Sequence, residues 1–260
     1  MKLFDAHTHL QDDRLYPERE AVLRAAAEAG VAGIAVKGRT ERDWERVAAL
    51  ADQYPCVHPS FGLHPMHGGG RTGNWRATLI RFLLRYPAAG IGETGLDFTK
   101  EVPDHADQES VFRDHLSVAA ELGRPVTIHC RGAWDRLTAV LREVSVPGGM
   151  MIHCCAAPPT ALEALLEMGA FISFSGTVTR PDDHRASQIV ARVPLDRLLI
   201  ETDAPDHVPC SPSAEKQLKP NEPARLPDVL ASVASLHGSA REKIASASSG
   251  NARRFFGFES

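Results

Sequence analysis

A short apolar run followed by a longer amphipathic stretch recurs eight times along this chain, and that alternation constrains the fold more than any other feature. Strand-like runs fall at residues 3–6, 33–37, 57–62, 89–93, 126–129, 150–153, 170–174 and 198–201. The segments between them read as helices; in 105–122, for example, Val111, Leu116, Ala119 and Leu122 fall near one face. Several of these segments stop at glycine, as at Gly123 and Gly169, which suits the left-handed residue that ends a helix. Strands alternating with helices imply parallel pairing through right-handed crossovers. Eight such units in 260 residues predict an α/β fold, a (β/α)8 TIM barrel, as a single domain over residues 1–260. An open doubly wound sheet is the competitor, but no GxGxxG follows the first strand. The final amphipathic piece, 241–256, is expected to pack on the outside of the barrel and bury Phe255 and Phe256.

Ligand-type side chains stand where these strands end. Asp5-Ala6-His7-Thr8-His9 closes the first strand, Glu93 the fourth, His129 the fifth and His153 the sixth, and Asp203 follows the eighth. In a (β/α)8 barrel the C-terminal strand ends converge on one face, where such enzymes hold their active sites. His7 and His9 are two apart, so strand alternation lets both point into that mouth. Each signal alone has a plain structural reading. An HxH pair can be surface, a strand-end histidine can be a hydrogen-bonded core residue, Glu93 can cap a helix, and Asp203 can sit in a turn. Together they place buried carboxylates among imidazoles, an arrangement that is costly unless the charges are paired or metal-bound. Four histidines and two carboxylates exceed one tetrahedral zinc with an open position, and suit two divalent ions sharing a carboxylate. Such ions polarise a phosphoryl or carbonyl oxygen and activate a water, and Asp203 is the candidate to accept its proton. No covalent nucleophile is then needed, and neither Ser175 nor Ser211 lies in a nucleophile-elbow sequence.

The formal net charge of −4 gives no bulk attraction for nucleic acid, so a phosphodiester substrate would need local positive charge. Lys37 at the end of the second strand, Arg131 after the fifth, and Thr179-Arg180 after the seventh are placed to meet phosphate oxygens. Trp134 offers a ring for base stacking, although an interior aromatic on a helix is the commoner use. His64 follows the third strand and can reach the same mouth, whereas His67 precedes three glycines in what reads as a flexible loop. His58, His105, His115, His184, His207 and His237 read as packing or surface residues. The five cysteines show no CxxC spacing and read as reduced thiols; alternation should turn Cys130 and Cys154 away from the side their histidine neighbours face. With no basic-then-apolar leader at MKLFDAHTHL and no membrane-spanning run, the expected location is the cytoplasm. Nothing requires an oligomer, and a monomer fits.

In order along the chain, DAHTHL, FGLHP, GETGLDF, the Gln108–Phe112–His115-Leu116 stretch, RPVTIHCR, MIHC, FISFSG, LLIETDAP, NEPA and NARRFFG resemble the TatD family of metal-dependent deoxyribonucleases, within the amidohydrolase-like superfamily. The resemblance implies that His7, His9, Glu93 and Asp203 hold one ion and Glu93, His129 and His153 the second, making Glu93 the bridge. It implies magnesium, manganese or zinc as the metal, DNA or another phosphodiester as substrate, and His64 and Arg131 as substrate contacts. Glu201 and Asn221 also match family motif positions. Two stretches depart from the pattern. Cys154-Cys155-Ala156 stands where the family has an aromatic residue and Ser-Gly, and Asp206 replaces a usual aromatic, adding negative charge where a phosphate chain would lie. An amidohydrolase or lactonase on the same barrel is the alternative. Many of those bridge their metals with a carboxylated lysine on the fourth strand, where this chain has Glu93. A non-catalytic scaffold barrel is the third reading, and a missing ligand would have signalled it; none is missing.

Overall fold

Residues 2–99, 104–181, 184–210 and 220–257 are described in the computed structural model, so Ser211 lies outside the described residues. Eight parallel strands pair strictly in sequence order: β1 (Leu3–Thr8), β2 (Val31–Lys37), β3 (Val57–Phe61), β4 (Gly90–Asp97), β5 (Val126–Arg131), β6 (Met150–Ile152), β7 (Phe171–Phe174) and β8 (Leu198–Ile200). Between them run α1 (Arg19–Glu28), α2 (Trp44–Gln53), α3 (Trp75–Arg85), α4 (His105–Leu122), α5 (Trp134–Glu143), α6 (Pro159–Glu167) and α7 (His184–Val190). Two helices, α8 (Leu226–His237) and α9 (Arg241–Phe256), follow β8. This is the expected (β/α)8 barrel. It closes where β1 meets the segment after β8: the Asp203 N–H donates to His7 O at 2.9 Å, and the His9 N–H donates to Ala204 O at 2.7 Å.

Successive residues of the strands sort into two apolar clusters. Ile34 and Val36 of β2, Met150 and Ile152 of β6, and Leu198 and Ile200 of β8 pack in the large cluster shared with the helices. Ala35, Met151 and Leu199, the residues between, join a smaller cluster inside the barrel with Phe4, Ala6 and Phe171. Phe255 and Phe256 belong to that inner cluster, with Phe256 stacked on Phe4 at 5.6 Å. The body of α9 packs in the outer cluster through Ile244 and Ala245, as expected, while its end turns under the strands and plugs the N-terminal end of the barrel. Lys37, two residues beyond Ala35, also points inward. It is fully buried, donates to Ser60 Oγ at 3.0 Å, and lies 4.1 Å above the Phe256 ring. Burial pushes its pKa down to about 7 despite Glu201, Glu93 and Asp5. Lys37 is thus part of the barrel floor and does not reach a phosphate at the mouth.

Two strands carry an extra residue where they bear ligands. Between Asp5 and Thr8 three steps of β1 oppose two of β2, and between Ile91 and Thr94 three steps of β4 oppose two of β5. The first bulge lets His7 face the interior although Phe4 and Ala6 also do. The second sits at Gly92-Glu93, after which β4 continues to Asp97, four residues beyond the end expected from sequence. Gly95 opposes His129 at φ +145°, where a Cβ would collide with the His129 carbonyl oxygen.

His115 of α4 has the packing role expected of it. Its Nε2 accepts the Leu63 N–H at 3.1 Å and its Nδ1 donates to Val111 O at 2.7 Å, so the buried ring is neutral. Burial holds its pKa down to about 4. Below about pH 6.5 the unfolded chain takes up a proton that the folded one refuses until about pH 4. Stability from this residue is thus intact above pH 6.5 and is lost as pH falls through that window, by roughly 3 kcal/mol at the low end. Urea denaturation of His115→Gln should show a shallower fall of stability with acid than the wild type; equal slopes would rule the assignment out.

Candidate metal centre and active-site cleft

The six expected ligands converge at the C-terminal mouth, each within 3.7 Å of at least one other. Glu93 lies at the middle, 2% exposed, with its two carboxylate oxygens turned to different imidazoles. Oε2 is 3.4 Å from His7 Nε2 and 3.2 Å from His9 Nε2. The same two nitrogens are 3.2 Å apart and lie 3.6 and 3.7 Å from Asp203 Oδ1. Oε1 faces the other way, 3.1 Å from His129 Nδ1 and 2.8 Å from His153 Nε2, which are 3.2 Å apart. Donors about 2.0–2.1 Å from a tetrahedral ion lie roughly 3.3–3.4 Å from each other, so both sets have the spacing of a ligand shell.

The far nitrogens of these rings show which lone pairs are free. His9 Nδ1 donates to Lys37 O at 2.8 Å, His129 Nε2 to Asp97 Oδ2 at 3.2 Å, and His153 Nδ1 to Glu201 Oε1 at 3.3 Å. Each acceptor takes the outer N–H and aims the inner nitrogen at the carboxylates, the orientation that ligation requires. Burial opposes charge on His129 and His153, but the carboxylates around them raise both. His7 has no such partner on Nδ1 among the described residues. Burial drives His7 down to about 4, which leaves it neutral. Burial alone would raise the Glu93 carboxyl, but His153, His64 and His7 hold it well below the ordinary range. Imidazole nitrogens facing two ionised carboxylates are a donor set that fits divalent metal, which displaces any proton held between them. Burial would likewise raise Asp97, and hydrogen bonds from His129 and Thr99 hold it low.

His64 has the opposite polarity. Its Nδ1 accepts the Met66 N–H at 3.1 Å, so the proton is on Nε2, 3.3 Å from Glu93 Oε1. It aims an N–H at the centre where the ligand rings aim lone pairs. A cleft of about 560 Å³ opens over the centre, and Arg131, Trp134, Arg180 and His67 line it. Arg131 and Arg180 are exposed and Trp134 is half-buried. Asp206 lines the cleft too, but its charge is compensated, because Arg14 forks onto both carboxylate oxygens at 2.7 and 3.1 Å.

Sequence reasoning missed three neighbours of the centre. The glycines of GETGLDF read as the end of β4 and hide Asp97, two residues after Gly95. Gln108 pins it in place, accepting the Asp97 N–H at 2.9 Å and donating to Asp97 O at 3.0 Å. Cys154 does not turn away as alternation predicts, because β6 ends at Ile152 and Cys154 takes φ +43°. Its thiol enters the cleft beside His207, whose Nδ1 lies 2.9 Å from Asp203 Oδ2, so His207 is not merely a surface or packing residue. Glu201 braces the site from within the barrel, accepting from Ser173 Oγ and from the Cys154 N–H at 2.7 Å. Asn221 also braces, its Nδ2 donating to Thr202 O at 2.9 Å and Asp206 O at 2.8 Å.

A (β/α)8 barrel with this cluster of imidazoles and carboxylates at its mouth defines a metal-dependent hydrolase. The chain belongs to the TatD related DNase family, whose model matches residues 4–257. It is 33% identical over 259 residues to a protein of Erwinia tasmaniensis named 3'-5' ssDNA/RNA exonuclease TatD, with 98% of this chain and 99% of that one covered. A protein of the same name from Pantoea vagans is 34% identical over 260 residues, covering 98% and 99%. The crystal structure of YJJV, a TatD homologue of Escherichia coli, superposes with a TM-score of 0.93 at 29% identity, covering 99% of this chain and 98% of that one.

Removing the acceptor of the His129 ring proton should weaken metal binding without touching a ligand. Asp97→Asn is expected to lower manganese affinity about 10–100-fold, measured by competition with a chelator. Unchanged affinity would mean that Asp97 does not orient His129.

Proposed function

We propose that this chain hydrolyses phosphodiester bonds at the ends of single-stranded DNA or RNA, using two divalent ions held by His7, His9, Glu93, His129, His153 and Asp203. The observation that carries this reading is the division of Glu93: Oε2 faces His7 and His9, and Oε1 faces His129 and His153. A carboxylate so divided fits a bridge between two ions, and the activity in the relatives' names supplies the substrate class. Ions bound there would polarise a phosphoryl oxygen and bring the pKa of a water to about neutral. Magnesium, manganese and zinc all suit the donors, although the all-histidine and carboxylate shell favours no one of them strongly.

In this reading Glu93 fixes the spacing of the centre. Asp203, with Oδ1 directed at His7 and His9, accepts the proton of the attacking water. His64 donates its Nε2–H to a non-bridging phosphate oxygen. Arg131 and Arg180 neutralise the charge of the scissile and neighbouring phosphates, and the half-buried face of Trp134 stacks against a base. No membrane partner is required: among the described residues no helix is long and apolar enough to cross a bilayer. The absence of CxxC spacing suits the reducing cytoplasm, and a single subunit carries the whole site.

The test is hydrolysis of single-stranded oligonucleotides blocked at either end, with and without added manganese or magnesium. Metal-dependent shortening from one unblocked end is expected, with more than about a 100-fold loss in Glu93→Gln and His129→Ala. Metal analysis should return close to two ions per chain. Turnover only of cyclic amides or lactones would replace the nuclease reading by the amidohydrolase one. A His64→Gln variant should bind metal normally and lose rate about 10–1,000-fold, the range for one transition-state donor.

A further inference from the structure

On the outer side of Asp203 lies a third set of ligand-type atoms that neither donor set uses. Cys154 Sγ is 3.3 Å from His207 Nδ1, and His207 Nδ1 is 2.9 Å from Asp203 Oδ2. All three atoms lie within 4.8 Å of one another and open onto the cleft. Asp203 therefore presents Oδ1 to His7 and His9 and Oδ2 to this group.

The backbone is bent to bring these donors together. Among the described residues four non-glycine residues have positive φ, and three of them are Cys154 at +43°, Asp203 at +54° and His207 at +50°. Such conformations persist where surrounding contacts over-determine them. Here the Cys154 N–H is held by Glu201 Oε1 at 2.7 Å. The loop carrying His207 is seated on Gly176, where a side chain would collide with the His207 carbonyl, and is tied at Asp206 by the Arg14 fork. Ser175 Oγ, 3.0 Å from the sulfur and 3.3 Å from His207 Nδ1, completes a polar lining.

We propose that Cys154, His207 and Asp203 form a third metal site, selective for a thiophilic divalent ion of the zinc type. Thiolate, imidazole and carboxylate together form a softer donor set than the imidazole–carboxylate centre beside it. Binding releases the thiol proton and the Nδ1 proton of His207 to solvent, leaving a neutral ring protonated at Nε2. The ion then replaces the hydrogen bond between His207 and Asp203. Tetrahedral zinc needs these donors about 3.3–3.6 Å apart, so they separate by a few tenths of an ångström. Occupation engages both oxygens of Asp203. On the reading of Asp203 as proton acceptor, zinc then slows an enzyme that manganese activates; the site itself does not depend on that reading.

The test uses cobalt(II), which reports thiolate ligation by a sulfur-to-cobalt charge-transfer band in the near ultraviolet. Metal-free full-length protein titrated with cobalt should develop that band. Cys154→Ser and His207→Gln should each lose it and bind one equivalent fewer than the wild type. Retained manganese binding in either variant certifies the neighbouring centre, and His207→Gln, altered at a partly exposed loop position, serves if Cys154→Ser fails to fold. No band in the wild type, or a band that survives Cys154→Ser, overturns the proposal. Both readouts are independent of nuclease activity, so a failed hydrolysis assay leaves this test standing.

Discussion

The mouth of this barrel depends on how its first strand meets the segment after its last. Asp5 is fully buried and takes both the backbone N–H of Thr202, at 2.9 Å, and the Thr202 hydroxyl. Burial pushes its pKa to about 7 in spite of these bonds. Next to them the backbone bonds of His7, His9, Asp203 and Ala204 complete the seam. Ligands separated by nearly the whole sequence thereby become neighbours, and the closure of the fold and the assembly of the centre are one event. A buried carboxylate that releases its partners would open the barrel and scatter the ligands together.

Much of this was legible because strands and ligands obey simple rules. Apolar runs located all eight strands, and the convergence of strand ends located His7, His9, Glu93, His129, His153 and Asp203. What escaped follows from departures from regular alternation. Glu93 was read as a strand end, yet a bulge places it within β4, and the strand continues to Asp97. Cys154 was assigned to the wrong side because a left-handed residue resets the alternation. Lys37 reads in sequence as a phosphate contact because sequence does not tell a mouth residue from one inside the barrel at the same strand end; its burial is offset in part by Ser60 and the Phe256 ring. Bulges and left-handed residues are decided by tertiary closure, so they leave little trace in local pattern.

The centre is also an exercise in placing protons. Acceptors outside the ring of ligands draw the N–H of His9, His129 and His153 outward, while a backbone donor at Met66 forces that of His64 inward. Identical side chains thereby turn different nitrogens to the centre according to one neighbour each. The same logic separates Asp206 from Asp203: Arg14 neutralises the first, and the second stays directed at the imidazoles. Charge in the cleft is set by partners as much as by composition.

Phe255 and Phe256 seal the barrel at its N-terminal end, below Lys37. The vessel therefore has one opening. A polymer cannot be threaded through it, and whatever is cut must leave by the door through which the strand came in. On the cleavage of strand ends proposed above, the released fragment clears the mouth before the next terminus settles, so traffic at the rim becomes part of the rate.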